Sequence, residues 1–139
     1  MFKRILVAHD GSDGAQRAFD AAVELAADLK ATLHMISVEE DLPRHAEMMM
    51  DEVNEVKEPE DSYFGQLGAQ AKRRAGLQGV NLETTVVTGH EVKAIVEAAR
   101  EGLYDLLVVG FTGHSFAHFW GGTSQNLTRL VGCSVLVVK

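Results

Sequence analysis

RILVAHDGSDGAQRAFDAAVELAADLKATLHMISV, residues 4–38, holds a strand, a helix and a second strand in that order. Arg4 to Ala8 is a short aliphatic run closed by His-Asp-Gly-Ser, the pattern of a strand buried on both faces. Ser12 and Asp13 offer N-caps, and apolar residues then recur at Ala15, Ala18, Phe19, Ala22, Val23, Leu25, Ala26 and Leu29. That spacing is helical and gives one apolar stripe. Thr32 to Val38 reads as the second strand. Two apolar strands joined by a helix must run parallel, with the helix packed over the sheet.

The rest of the chain repeats the alternation. A helix is expected from about Ser62 to Leu77, a strand over Asn81 to Thr88, and a helix around Val92 to Ala99. Asp105 to Val109 (DLLVV) reads as a fourth strand, Thr123 to Val131 as a helix and Val135 to Val138 as a fifth strand. The expected class is therefore α/β, a single open doubly wound five-stranded parallel sheet with helices on both faces. These elements exhaust residues 1–139, so one domain is expected. In such sheets a ligand sits outside the carboxyl ends of the strands, where strand order reverses. The ends to converge there are His9 to Ser12, Val38-Glu39, Thr88 to His90 and Gly110 to Gly113.

Composition narrows the function. Of 139 residues, 46% are hydrophobic and 24% charged, as in ordinary globular proteins. No apolar run approaches the roughly 18 residues of a membrane span. The opening MFKRILVAHDGS has too short an apolar stretch for an export signal. The single cysteine, Cys133, excludes an internal disulfide, and a cytoplasmic location is expected. The net charge is −7, but Glu39 to Asp61 alone carries ten acidic and two basic residues, leaving the remainder near neutral. With no basic face, nucleic-acid binding is not expected. This acidic span includes both prolines and Met48 to Met50. It reads as a flexible excursion, or else as a short helix that docks a protein partner.

The stretch GFTGHSFAHFWGGTS, Gly110 to Ser124, follows the fourth strand. Glycines between a strand end and a helix start let backbone N–H groups approach a phosphate. The bland alternative is a corner that needs positive φ at Gly110 or Gly113. His114 and His118 stand four apart but lack a third ligand nearby, so no metal is assigned. His9 reads as a packed rim histidine and Cys133 as buried rather than redox-active. Phe116, Phe119 and Trp120 read as packing, a lid or a subunit contact. There is no Gly-x4-Gly-Lys-Ser/Thr and no catalytic residue is nominated, so ATP hydrolysis is expected to be weak at most.

Three pieces together resemble the universal stress protein family: ILVAHDGSDGAQRAFDAAVELA at the start, the Thr-Gly turn with its helix and YDLLVVG in the middle, and TSQNLTRLVGCSVLVVK at the end. In the last, Ser134 stands where the family has proline. The resemblance implies an adenine-nucleotide alpha-hydrolase-like fold with strand order 3-2-1-4-5. It also implies a homodimer paired through the last strand, Val135 to Val138, and, in some members, bound ATP or AMP, with Mg2+ beside a triphosphate. The binding members carry Gly-x2-Gly-x9-Gly-Ser/Thr. Gly110 and Gly113 supply its first half, whereas only eight residues separate Gly113 from Gly122, or seven from Gly121. The nucleotide-binding residues implied are Ala8, Asp10, Val38, Val109, Gly110, Thr112, Gly113, His114, Gly121, Gly122, Thr123 and Ser124. Asp10 would touch base or ribose and Val38 would pack on adenine. The plain readings, an Asx turn for Asp10 and a core valine for Val38, stand beside these roles. A non-nucleotide dimeric regulatory protein of the same family is the alternative function.

Overall fold

Alternating side chains along the strands divide the core into two layers. The computed structural model describes residues 1–40, 54–57, 59–111 and 122–139. Its elements are β1 (Arg4–Ala8), α1 (Asp13–Leu29), β2 (Thr32–Glu39), β3 (Asn54–Val56), α2 (Tyr63–Leu77), β4 (Leu82–Thr88), α3 (Glu91–Glu101), β5 (Leu106–Gly110), α4 (Gly122–Leu130) and β6 (Ser134–Val138). Ile5 and Val7 of β1, Leu33 and Met35 of β2, and Leu106 and Val108 of β5 face one side. There they meet Ala18, Phe19, Ala22, Val23 and Ala26 of α1, with Ala71 and Ala75 of α2. Leu6, Ile36, Leu107 and Val109 face the other side, against Ala94, Ile95 and Ala99 of α3 and Leu127 of α4. Period-2 strands between period-3.6 helices leave both sheet faces covered.

The sheet has six strands in the order β3-β4-β2-β1-β5-β6. The five long strands pair in parallel and take the expected 3-2-1-4-5 order. The expected count of five is corrected by β3, which pairs antiparallel with β4, Asn54 opposite Thr88 and Val56 opposite Val86. It lies inside the acidic span that was expected to be an excursion. Residues 41–53, and with them Met48 to Met50, lie outside the described residues.

Local signals set the helix starts. The Ser12 side chain accepts from the Ala15 N–H at 3.1 Å, and the Ser62 side chain accepts from Gly65 at 3.0 Å. Helix α3 has no side-chain cap from His90. Instead the Glu40 carboxylate accepts the Glu91 N–H at 3.2 Å, a negative charge at a helix N-terminus. Edge position explains a second correction. Cys133, expected to be buried, is half-exposed beside β6, and the burial it has raises its thiol pKa.

Candidate functional site

Order reverses at β1: the chain crosses from β1 to β2 on one side, and later from β4 to β5 on the other. Outside the carboxyl ends of β1, β2 and β5 lies a cleft of about 710 Å³. It sits where the doubly wound topology places ligand sites. Ala8 to Ser12, Ile36 with Val38 to Glu40, and Val109 to Phe111 form its strand-end walls. Residues near the N-termini of all four helices complete it, Ala15, Tyr63, Glu91 and Thr123 among them.

The β1 end is fixed by a chain of polar contacts. His9 is 2% exposed. Its Nδ1 accepts the Gly11 N–H at 3.0 Å, which puts the ring proton on Nε2, 3.2 Å from Gln16 Oε1. Gln16 then donates to Asp20 at 3.1 Å, and Asp20 accepts from Arg74 of α2 at 2.7 Å. The His9 carbonyl accepts from the buried Ser37 hydroxyl at 2.7 Å. Burial lowers the His9 pKa, against the raising effect of its bond to Gln16, and so favours a neutral ring. His34, at the other end of the sheet, is lowered by burial too, although Glu83 opposes this. It bonds to Thr85 at 2.6 Å and to the Tyr104 hydroxyl at 2.8 Å.

A pH dependence follows from the two histidines. Folded pKa values below the ordinary 6.5 mean that the unfolded chain takes up protons first. Their contribution is complete above pH 6.5 and is lost as pH falls through it, at up to about 1.4 kcal/mol per pH unit for each histidine. Urea unfolding at pH 7.5 and 5.5 should show lower stability at 5.5, and His9→Gln should reduce that difference by about half.

Asp10 and Gly11 shape the rim. The Ser12 N–H donates to Asp10 Oδ1 at 2.9 Å, an Asx turn. Gly11 has φ +89°, and a Cβ there would collide with the Tyr63 hydroxyl, which donates to the Asp10 carbonyl at 3.3 Å. Gly110 is glycine for a different reason. Its φ is not positive, and Gly113, the other position named for the corner, lies outside the described residues. A Cβ on it would lie 2.6 Å from the Gly14 carbonyl oxygen, so its missing side chain lets β5 touch the first turn of α1.

Seven of the residues singled out from sequence line this one cleft: Ala8, Asp10, Val38, Val109, Gly110, Thr123 and Ser124. Ser124 is buried and Thr123 half-buried in the first turn of α4. Gly122 opens α4. Thr112, Gly113, His114 and Gly121 lie outside the described residues, as do Phe116, His118, Phe119 and Trp120. Sequence reasoning passed over Tyr63, Phe64, Glu40, Glu91 and Ile95, which also line the cleft. A usable signal existed for the first two, an aromatic pair directly after the N-cap Ser62. Among the described residues no cluster of three or more His, Cys, Asp or Glu is placed to hold a metal ion.

The model of the universal stress protein family matches residues 1–139. The chain belongs to the universal stress protein family. As a universal stress protein it is similar to YxiE of Bacillus subtilis, 33% identical over 155 aligned residues that cover 100% of both chains. In structure it is similar to UspA from Lactobacillus plantarum, with TM-score 0.83 and 26% identity over 99% of this chain and 98% of the other. A universal stress protein solved in complex with cAMP superposes with TM-score 0.74 at 30% identity, covering 99% of this chain and 97% of that one. No described helix of this universal stress protein is long and apolar enough to cross a membrane.

Proposed function

We propose that the chain binds an adenine nucleotide in the β1–β2–β5 cleft and acts as a nucleotide-responsive module in a stress response. The observation that carries this is the convergence on one 710 Å³ cleft of Asp10, Val38, Gly110 and Ser124, from four separate segments. A cleft of this size suits a nucleotide-sized ligand. The similar protein solved with cAMP supports the ligand class. Val38 and Ile36 offer an apolar surface for the base, beside Asp10 for the ribose. Gly110 keeps the β5 end low, and the first-turn N–H groups of α4 face outward from the helix, as an anion requires. Mg2+ would accompany a polyphosphate. A cytoplasmic location fits the free Cys133.

Asp10→Ala is expected to weaken AMP binding about tenfold, the loss of one hydrogen bond to a charged group. Equilibrium dialysis of wild type, Asp10→Ala and Asp10→Asn against labelled AMP checks it. Asn keeps an acceptor for the Ser12 turn and separates folding from ligand contact. Unchanged affinity in Asp10→Ala would remove Asp10 from the site.

The same proposal includes a homodimer through β6. That strand is at the edge of the sheet and reads Ser-Val-Leu-Val-Val, with Leu136 37% exposed. An apolar edge without a partner invites pairing with another chain. Leu136→Asp should turn a dimer of about twice 15.1 kDa into a monomer, as read by light scattering after size exclusion. A wild-type monomer at all concentrations would contradict the dimer.

A further inference from the structure

Two tyrosine or phenylalanine side chains stand open to solvent among the described residues, Tyr63 at 61% exposure and Phe111 at 47%, and both line the cleft. A lone exposed apolar group is ordinary, but exposed aromatics gathered at one concave site mark a surface that takes a ligand. Phe111 already has a partner, with Lys139 Nζ 5.1 Å from its ring centroid. Tyr63 meets Phe64 in a T-shaped contact at 5.1 Å, and most of the residue remains in solvent. Helix α2 does not need an aromatic at this first position, because Ser62 supplies its cap.

The Tyr63 ring is held at the cleft by its surroundings. The Ser62 hydroxyl donates to the Pro59 carbonyl at 2.8 Å, and a Cβ on Gly65 would collide with that same carbonyl, so the chain turns tightly into α2. The helix lies over β4, where a Cβ on Gly68 would come 3.5 Å from Thr84 Oγ1. From there Tyr63 reaches the end of β1. Its hydroxyl donates to the Asp10 carbonyl and occupies the room left by the missing Cβ of Gly11. The sheet order is β4-β2-β1, so a side chain running from α2 to the β1 end crosses the end of β2, where Val38 lines the cleft.

We propose that Tyr63 is the residue that recognises the base: its ring forms, with Val38, the apolar slot of the cleft and stacks on the flat ring of the ligand. This rests on the nucleotide reading above and deepens it by naming a specificity-determining side chain. Every base offers a π-face, and stacking on an aromatic side chain typically changes affinity by about tenfold or more. The attraction grows with the area of the stacked rings, so a tyrosine wall favours a purine over a pyrimidine. The hydroxyl, bonded to the Asp10 carbonyl, orients the ring across the slot.

The test is calorimetric titration of the whole chain with AMP and UMP, for wild type, Tyr63→Phe, Tyr63→Leu and Tyr63→Ala. Wild type should prefer AMP. Tyr63→Ala and Tyr63→Leu should each bind AMP about tenfold more weakly, and their AMP-to-UMP affinity ratio should shrink about threefold. Tyr63→Phe keeps the ring and should stay within about threefold of wild type. Leucine retains an apolar contact for Phe64, so it separates a lost stack from a loosened helix start. Unchanged AMP affinity in Tyr63→Ala or Tyr63→Leu overturns the stacking role and leaves the nucleotide site standing. So does a phenylalanine variant as weak as the alanine one, or an equal loss for AMP and UMP. If wild type takes up neither nucleotide, the nucleotide reading itself fails and the role of Tyr63 falls with it.

Discussion

Gly110→Val should abolish measurable AMP binding and destabilise the protein by about 1–3 kcal/mol, the usual range for overpacking a tight interior. The added Cβ would lie 2.6 Å from the Gly14 oxygen, 2.7 Å from the Gly14 carbonyl carbon and 3.0 Å from the Ala15 nitrogen. All three are backbone atoms, and rotamer changes cannot relieve them. The Ala15 N–H is also the donor to the Ser12 cap, so displacing it loosens the start of α1. Strand β5 and the α1 N-terminus meet at the lining of the cleft, and pushing them apart alters its shape directly. Thermal unfolding and AMP titration of the same sample provide the check. A valine variant that matches wild type in both would show that the α1–β5 contact is not needed for the site.

Phe19→Ala should have the largest effect on stability, a loss of about 3–5 kcal/mol. Phe19 is fully buried and is the largest side chain of the core on the α1 side, where it packs with Ile5, Val7 and Val108. Its ring centroid is also 5.7 Å from that of His9. Against a total stability of about 5–15 kcal/mol, such a loss brings the domain close to unfolding at moderate temperature. The cavity would open beside the imidazole whose Nδ1 holds the Gly11 turn, so the cleft rim should loosen before the chain unfolds. Urea denaturation gives the magnitude, and amide exchange at Gly11 reports the rim. A loss below 1 kcal/mol would mean that neighbouring side chains fill the cavity.

The order of elements was legible because each long strand is apolar throughout and each helix shows one stripe. RILVA and DLLVV can be little else than strands covered on both sides, and the Ser12 cap is written in the sequence. The edge strand Asn54–Val56 was not legible. It has three residues without alternation, and its existence depends on hydrogen bonds from β4, so no local signal marks it. Gly110 was singled out in the sequence, but the constraint the structure puts on it is one that sequence does not carry. Its constraint is the backbone of Gly14, a contact made only once β5 and α1 are packed. Asp10 shows the limit in another way. Its carboxylate makes the plain Asx turn, and the same residue lines the cleft, so the turn does not take it out of the candidate site. The helix-start residues Tyr63 and Glu91 were passed over because each is brought to the rim by a crossover, not by proximity along the chain.

The central claim is that the cleft outside β1, β2 and β5 holds an adenine nucleotide. Backbone amide chemical shifts followed by NMR during titration with AMP test it most directly, since the chain is only 15.1 kDa. The account predicts saturable shifts concentrated at Asp10 to Ser12, Val38, Glu39, Gly110, Thr123 and Ser124, with little change around His34 and Tyr104 at the far end of the sheet. An unchanged spectrum at millimolar AMP, or shifts confined to that far end, would contradict it.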